Sequence, residues 1–312
     1  MRKDITYISG VPVEKAIQIV ENCFFQEEET ELTERVVRNA EEFREAYLTM
    51  LPYRRFEECL DRFHAAAGRE RFSYEGRCAV CNCKQPFIVD YRFAVEEEGR
   101  KIPNWRERLV CPNCGCNSRQ RFMIQKIFEE YRPGKKILLY EQNSEVYRKV
   151  IRELDNVIGF EYIGESAQPH PECDGIIFED ISALNYEDEE FDLLVSNDVF
   201  EHTTDYQGAF KEAWRVLKPG GKLLFTVPFN GNDDQTEKRV EMGENGKICT
   251  AQEWYHTSPI PGGEPLLVCQ IFGWDILDLM KECGFCNACG KVYYGIKDGY
   301  LGYLPLYFEA CK

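Results

Sequence analysis

From about residue 123 onward, short apolar runs alternate with amphipathic stretches. KILLY, VIGFEY, FDLLVSN and GKLLFTVPF are compact apolar runs bounded by polar or turn residues, and they predict strands. SEVYRKVIREL, YQGAFKEAWRVL and GWDILDLMKEC carry apolar residues at three- and four-residue spacing, and they predict helices. Strands that alternate with helices imply parallel crossover units, so the fold class is α/β with a doubly wound, Rossmann-like sheet over residues 123–312. Upstream the pattern changes. AIQIVENCF and TERVVRNAEEFREAYLTML place apolar residues on one helical face, so residues 1–76 read as an acidic helical arm, with the run Glu27-Glu28-Glu29 on a solvated face or loop. In residues 77–122 cysteine, aromatic and arginine residues concentrate around a strand-like PFIVDYRFAV, and this segment reads as a small metal-stapled ribbon.

Composition narrows the class. The chain has 312 residues, 44% hydrophobic and 29% charged, a balance that builds an ordinary buried core. Its net charge of -16 disfavours nucleic acid, because an acidic surface repels phosphates. Arg119 and Arg121 form the single local basic patch, too small for a nucleic-acid footprint. MRKDITYISG has no apolar segment of signal-peptide type and no run reaches membrane-spanning length, so a cytoplasmic protein is expected.

Fifteen cysteines without a secretion signal point to metal binding before disulfides. Cys78-Ala-Val-Cys81 and Cys111-Pro-Asn-Cys114 are two C-x-x-C knuckles that can present four thiolates to one structural Zn²⁺, with Gly115 suited to the second turn. The long separation between them leaves room for a hairpin through PFIVDYRFAV. Cys83 and Cys116 are alternative ligands, members of a larger cluster or, on the preferred reading, bystanders near the site. Cys283, Cys286 and Cys289 suggest an iron–sulfur spacing, but the segment reads better as a helix end, a Gly-Phe turn and an edge strand.

Glu141 closes the first strand and Glu161 the second, a spacing at which doubly wound folds grip ribose hydroxyls; Asp180 follows the third strand candidate. FDLLVSNDVFEHTTDYQGAFKEAWRVLKPGGKLLFTVPF then resembles the second half of class I S-adenosylmethionine (SAM)-dependent methyltransferases: the strand ending in SND, the VFEH helix start and LKPGGKLLFTVP all match. The resemblance covers about residues 130–312, and a subgroup with a cysteine ribbon in front is similar more loosely.

The resemblance implies roles residue by residue. Glu141, with Gln142 and Asn143 after it, falls at the methionine end of the cofactor; Glu161, with Tyr162 beside it, at the ribose; Asp180, with the backbone of Ile181, at the adenine; Asn197 and Asp198 at the sulfonium; and His202 matches the histidine of the family's E-H helix start, beside the cofactor. The departure is the first turn, where the family places glycines and this chain has Gln142-Asn143-Ser144. Asn143 is expected to take the left-handed conformation that glycine otherwise supplies.

Methyl transfer is an in-line displacement from an activated sulfonium, so positioning carries most of it and a base is needed only for a protonated acceptor. Of four histidines, His64 and His170 read as structural, while His202 and His256 are the candidate bases. Trp254, Tyr255 and His256 lie where substrate-covering insertions occur and are candidate acceptor contacts; Asp233 and Asp234 read as turn caps. The expected reaction is methylation of a small molecule, such as a sugar, a lipid-linked or a natural-product intermediate. The alternatives are an RNA or protein acceptor docked by the ribbon, and a transferase fold kept as a scaffold.

Overall fold

The computed structural model describes residues 31–66, 68–97, 99–164, 175–243, 246–303 and 305–312, with the backbone of 7–8 and 11–12. The AIQIVENCF helix, the Glu27–Glu29 run and His170 lie outside the described residues. The chain divides into two compact units: residues 1–35, 45–126 and 292–305, and residues 36–44, 127–291 and 306–312.

The stretch read as one helix after residue 33 begins instead as a strand, β1 (Thr33–Val37). Val36 and Val37 are β-branched, and Val37 is buried, so a pleated edge accommodates them better than a helix. Helix α1 (Ala40–Thr49) follows, then α2 (Leu51–Ala66), with Pro52 in the first turn where its missing N–H costs nothing. His64 in α2 is buried and stacked on Phe72 at 3.7 Å; burial and then Arg69 push its pKa down to about 3, a structural role.

The helical arm also ends earlier than predicted. Arg71–Cys78 is a strand, β2, whose residues alternate strictly exposed and buried, with Phe72, Tyr74 and Cys78 inward. It pairs antiparallel with β3 (Cys83–Asp90), from Arg71 opposite Asp90 to Cys78 opposite Cys83. PFIVDYRFAV therefore finds its main partner upstream of the first knuckle. Its far end passes into a separate small hairpin of Val95–Glu97 with Arg100–Ile102.

Helix α3 (Ser118–Glu130) carries the expected basic patch, but both arginines are used internally. Arg121 is fully buried 3.8 Å above the Phe87 ring and donates to the Asp298 and Gly299 carbonyls. Arg119 donates to Glu107 at 2.8 Å.

The second unit is built on β4 (Ile137–Leu139), α4 (Glu145–Glu153), β5 (Val157–Gly159), β6 (Phe191–Asn197), α5 (Tyr206–Val216) and β7 (Leu217–Thr226). Three short strands follow, β8 (Tyr255–His256), β9 (Leu266–Leu267) and β10 (Gln270–Ile271). Helix α6 (Asp275–Glu282), the first part of β11 (Cys286–Tyr294), whose last three residues belong to the first unit, and β12 (Leu306–Cys311) complete it. The main sheet has the order β1-β11-β12-β7-β6-β4-β5. The pairs β5–β4, β4–β6 and β6–β7 are parallel, and β12 lies antiparallel to β7. The third strand candidate contributes a single parallel bridge, Phe178 to Glu161, outside β5. The parallel set thus runs in the order third, second, first, fourth, fifth, with its carboxyl ends along one edge, where such sheets bind ligands.

The parallel strands are buried continuously: Leu138, Leu139, Leu194, Val195, Leu224 and Phe225 expose nothing, as expected when helices cover a sheet. Phe200 stacks on Phe210 of α5 at 4.4 Å, fixing the turn after β6 against the helix. At the α5–β7 junction Gly220 has φ +77, so the KPGG turn requires a glycine there.

Strand β11 is not an edge strand, since β1 covers it. Cys283 is buried just past α6, Cys286 is exposed, and Cys289 is buried within β11. These three thiols form no group of metal-ligand spacing among the described residues.

Candidate active site

The carboxyl edge of β4, β5 and β6 gathers most of the acids picked from the sequence. Glu141 accepts a hydrogen bond from Asn197 Nδ2, which ties the end of β4 to the end of β6. Glu161 is buried and points back at the first turn: its Oε1 accepts from the backbone N–H of Gln142 at 2.7 Å and of Asn143 at 2.5 Å. A carboxylate that takes two backbone N–H groups fixes the loop conformation that glycines would otherwise permit. Burial, and to a lesser degree Glu141, raises the Glu161 pKa to about 7, although the two backbone hydrogen bonds pull the other way.

Asn143 does not adopt the left-handed conformation; the positive φ at this edge belongs to Asp198, at 55°. The reason is visible in the loop. Asn143 is held in place by its N–H on Glu161 and its side-chain amide on the Pro259 carbonyl at 2.7 Å. The close approach is made instead by Gly159 of β5, where a Cβ would lie 2.7 Å from the Glu141 carbonyl and 2.5 Å from the Tyr147 ring. The Gln142 side chain spans to the third strand position, donating to the Gly175 carbonyl and accepting from the Ile177 N–H. Ser144 caps α4 by accepting from the Tyr147 N–H at 3.0 Å. Tyr162 and Ile181 are buried beyond this edge, and exposed Asp180 accepts from the N–H and hydroxyl of Ser182. Asp198 accepts from the Thr226 hydroxyl at 2.8 Å. Asn197 Oδ1 is buried with no hydrogen-bond partner among the described residues.

The predicted helix start at VFEH is a 3-10 turn, Phe200–His202, and α5 begins later behind its cap Asp205. The structure brings His202 and His256 together: His256 Nδ1 lies 3.1 Å from His202 Nε2. His256 is on β8, which pairs antiparallel with β9. Next along the chain, Cys269 N–H donates to the Glu201 carbonyl at 2.7 Å, and Gln270 donates to the carbonyls of Phe200 and Thr203. The sequence reading missed Glu201. Its side chain exposes nothing and sits beside both imidazoles, and its only sequence signal was its place directly before His202. Trp254 and Tyr255 are exposed by 42% and 47%, with the Trp254 ring edge-on to His256 at 5.1 Å and Tyr255 donating to Glu253.

Asp233 and Asp234 lie apart from this cluster. Asp233 accepts from Asn230 within a turn, as a cap does. An open depression beside α5 and α6 is lined by Tyr206, Thr236 and the acids Asp275, Asp278 and Glu282, of which Asp275 accepts from the Thr236 hydroxyl at 2.6 Å.

In the first unit, the four knuckle cysteines converge. Cys78 Sγ lies 3.8 Å from Cys114 Sγ, and Cys81 Sγ lies 3.7 Å from Cys111 Sγ. Thiolates held about 2.3 Å from a tetrahedral zinc are separated by just such distances. Gly115 has φ +76, as the second knuckle turn requires. Cys83 is exposed and Cys116 turns to the Cys114 carbonyl, so neither joins the group.

Residues 148–225 match a family model described as a methyltransferase domain. Three curated relatives align over parts of the chain. Phosphoethanolamine N-methyltransferase 2 of Caenorhabditis elegans is 36% identical over 35% of this chain and 20% of its own length. Arsenite methyltransferase of Aquipseudomonas alcaligenes is 44% identical over 21% and 20%. Malonyl-[acyl-carrier protein] O-methyltransferase 1 of Coxiella burnetii is 34% identical over 34% and 41%. The chain spans about a fifth of the first of these proteins. Among solved structures, a SAM-dependent methyltransferase from Mesorhizobium loti covers 62% of this chain and 97% of its own, at 15% identity and a TM-score of 0.38.

Proposed function

We propose that the second unit is a class I SAM-dependent methyltransferase acting on a small-molecule acceptor. The observation that carries this reading is Glu161: a buried acid, at the end of the second strand, that organises the first turn within a chain whose residues 148–225 match the methyltransferase domain. The residues at this edge fit the cofactor. Glu141, Glu161 and Asp198 give the edge negative charge, which suits a sulfonium and an ammonium, and Asn197 Oδ1 is a buried acceptor in want of a donor. The glycine cradle that a pyrophosphate requires is absent, and this cofactor has no pyrophosphate.

When bound, the cofactor supplies an activated methyl group. In this reading the second oxygen of Glu161 accepts from the ribose diol and Asp180 from the adenine amino group, with the backbone of Ile181 beside it. Tyr162 lies next to the ribose acid, Asn197 and Asp198 line the sulfonium, and Gln142 and Asn143 present backbone to the methionine end. Trp254, Tyr255 and His256 contact the acceptor, and His202 or His256 takes its proton. Arg119 and Arg121 are committed to Glu107 and to backbone carbonyls, which supports a small-molecule acceptor over RNA. The four cysteines hold one structural Zn²⁺, because a full thiolate shell leaves no open position. The domain plan proposed is an N-terminal region over 1–76, in which α1 and α2 lie between β1 and the start of β2, the ribbon over 77–122 and the transferase over 123–312.

Glu161→Ala tests the assignment. S-adenosylhomocysteine should bind at least tenfold more weakly by calorimetry, since a buried diol loses its acceptor. Unchanged affinity assigns the ribose to another acid.

A further inference from the structure

The cluster of Glu201, His202 and His256 has the geometry of a metal centre. The three facing atoms are His202 Nε2, His256 Nδ1 and Glu201 Oε1. Their separations are 3.1 Å between the two nitrogens, 3.3 Å from Glu201 to His256 and 3.6 Å from Glu201 to His202. Ligands about 2.0–2.1 Å from a tetrahedral zinc stand roughly 3.3 Å apart, so one point lies about 2 Å from all three atoms.

Two further observations point to a cation. His202 Nδ1 faces the Leu267 carbonyl at 2.9 Å. A carbonyl can only accept, so Nδ1 carries the proton and Nε2 presents its lone pair to the cluster, as an outer hydrogen bond does for a metal-bound histidine. The Glu201 side chain exposes nothing, and neither of its oxygens has a hydrogen-bond partner among the described residues. A bare carboxylate in such a place is costly, and a divalent ion bound between it and the imidazoles removes that cost. The ligands are also held rigidly. Cys269 N–H and the Gln270 amide clamp the Phe200–Thr203 turn through three carbonyls, while β8 carries His256 on a paired strand.

We propose that Glu201, His202 and His256 form an open site for a divalent transition metal, of which Zn²⁺ best suits two imidazoles and a carboxylate. Three protein ligands leave a fourth position free, the arrangement of reactive rather than structural zinc sites. The side chain of His256 is 28% exposed, so that position is within reach of a small molecule. On the methyltransferase reading, on which this last step rests, the fourth ligand is the acceptor's hydroxyl or thiol. With both imidazoles ligating the metal, neither serves as the base: the X–H bond breaks, the proton passes to solvent, the metal–X bond forms and the heteroatom is prepared for methylation.

The test is metal content of the full chain after exhaustive dialysis. His256→Ala should contain one zinc fewer per chain than wild type, and Cys81→Ser should keep the His256-dependent zinc. The isosteric Glu201→Gln serves if His256→Ala does not fold. Cobalt(II) substitution gives a second readout: the wild-type minus His256→Ala spectrum should show d–d bands without thiolate charge transfer. Equal zinc content in wild type and variant, with a flat cobalt difference spectrum, overturns the site and leaves an imidazole pair hydrogen-bonded beside Glu201. S-adenosylhomocysteine titrated into the same preparations separates the two ideas. Nucleoside binding without His256-dependent metal sinks the metal centre alone; metal without nucleoside binding sinks the transferase reading and keeps the centre.

Discussion

Glu161 and Gly159 show how a few residues replace a glycine-rich turn. Gly159→Ala places a Cβ 2.7 Å from the Glu141 carbonyl, backbone that cannot swing aside, and 2.5 Å from the Tyr147 ring. The variant should lose roughly 1–3 kcal/mol in urea denaturation, and an unchanged midpoint contradicts the packing argument. Glu161 also sets a pH dependence. Its pKa is raised from 4.5 to about 7, first by burial and then by Glu141. The folded state therefore keeps a proton that the unfolded state has lost, and this group's contribution to stability declines as pH rises across that window. On the proposed reading cofactor binding runs the opposite way, because the ionised carboxylate is the form that accepts from a diol and attracts a cation. Calorimetry at pH 6 and pH 8 should show tighter S-adenosylhomocysteine binding at the higher value, and a flat profile contradicts this role. The acids at the strand ends were legible from spacing, because a crossover unit fixes where the next strand ends. Asn143 was not, because its conformation is decided by a partner eighteen residues away, Glu161 Oε1. Glu201 was hidden for a similar reason: His256 reaches it from 54 residues past His202.

Among the elements, those with a strong period were readable and those stabilised by distant pairing were not. Helices α4, α5 and α6 and strands β4 to β7 were predicted within a few residues, since their apolar positions repeat at helix or buried-strand spacing. β1 and β2 were mistaken for helix: TERVV borders a true helix, and RFSYEGRC carries charges on the face that a hairpin leaves in solvent. The short strands β8 to β10 carry no periodic signal, yet they place His256 and clamp the 3-10 turn. Gln270→Ala strips two buried carbonyls, those of Phe200 and Thr203, of their donor. It should cost about 2 kcal/mol or more in thermal unfolding; a variant as stable as wild type shows that the turn is held elsewhere.

Taken whole, the molecule has two units with separate chemistry. The four-cysteine cluster belongs to the first, and the acidic strand edge with the Glu201–His202–His256 group to the second. Among the described residues no helix is long and apolar enough to cross a membrane. Cys81→Ser should lower zinc content by one equivalent and destabilise the ribbon, read by metal analysis and limited proteolysis; iron with visible absorbance in the wild-type chain contradicts the assignment. The central claim is that the carboxyl edge of β4, β5 and β6 binds SAM. Calorimetric titration of the full chain with SAM and S-adenosylhomocysteine tests it most directly. The account predicts saturable binding of both, weakened by Glu161→Ala; no heat of binding from either at millimolar concentration contradicts it.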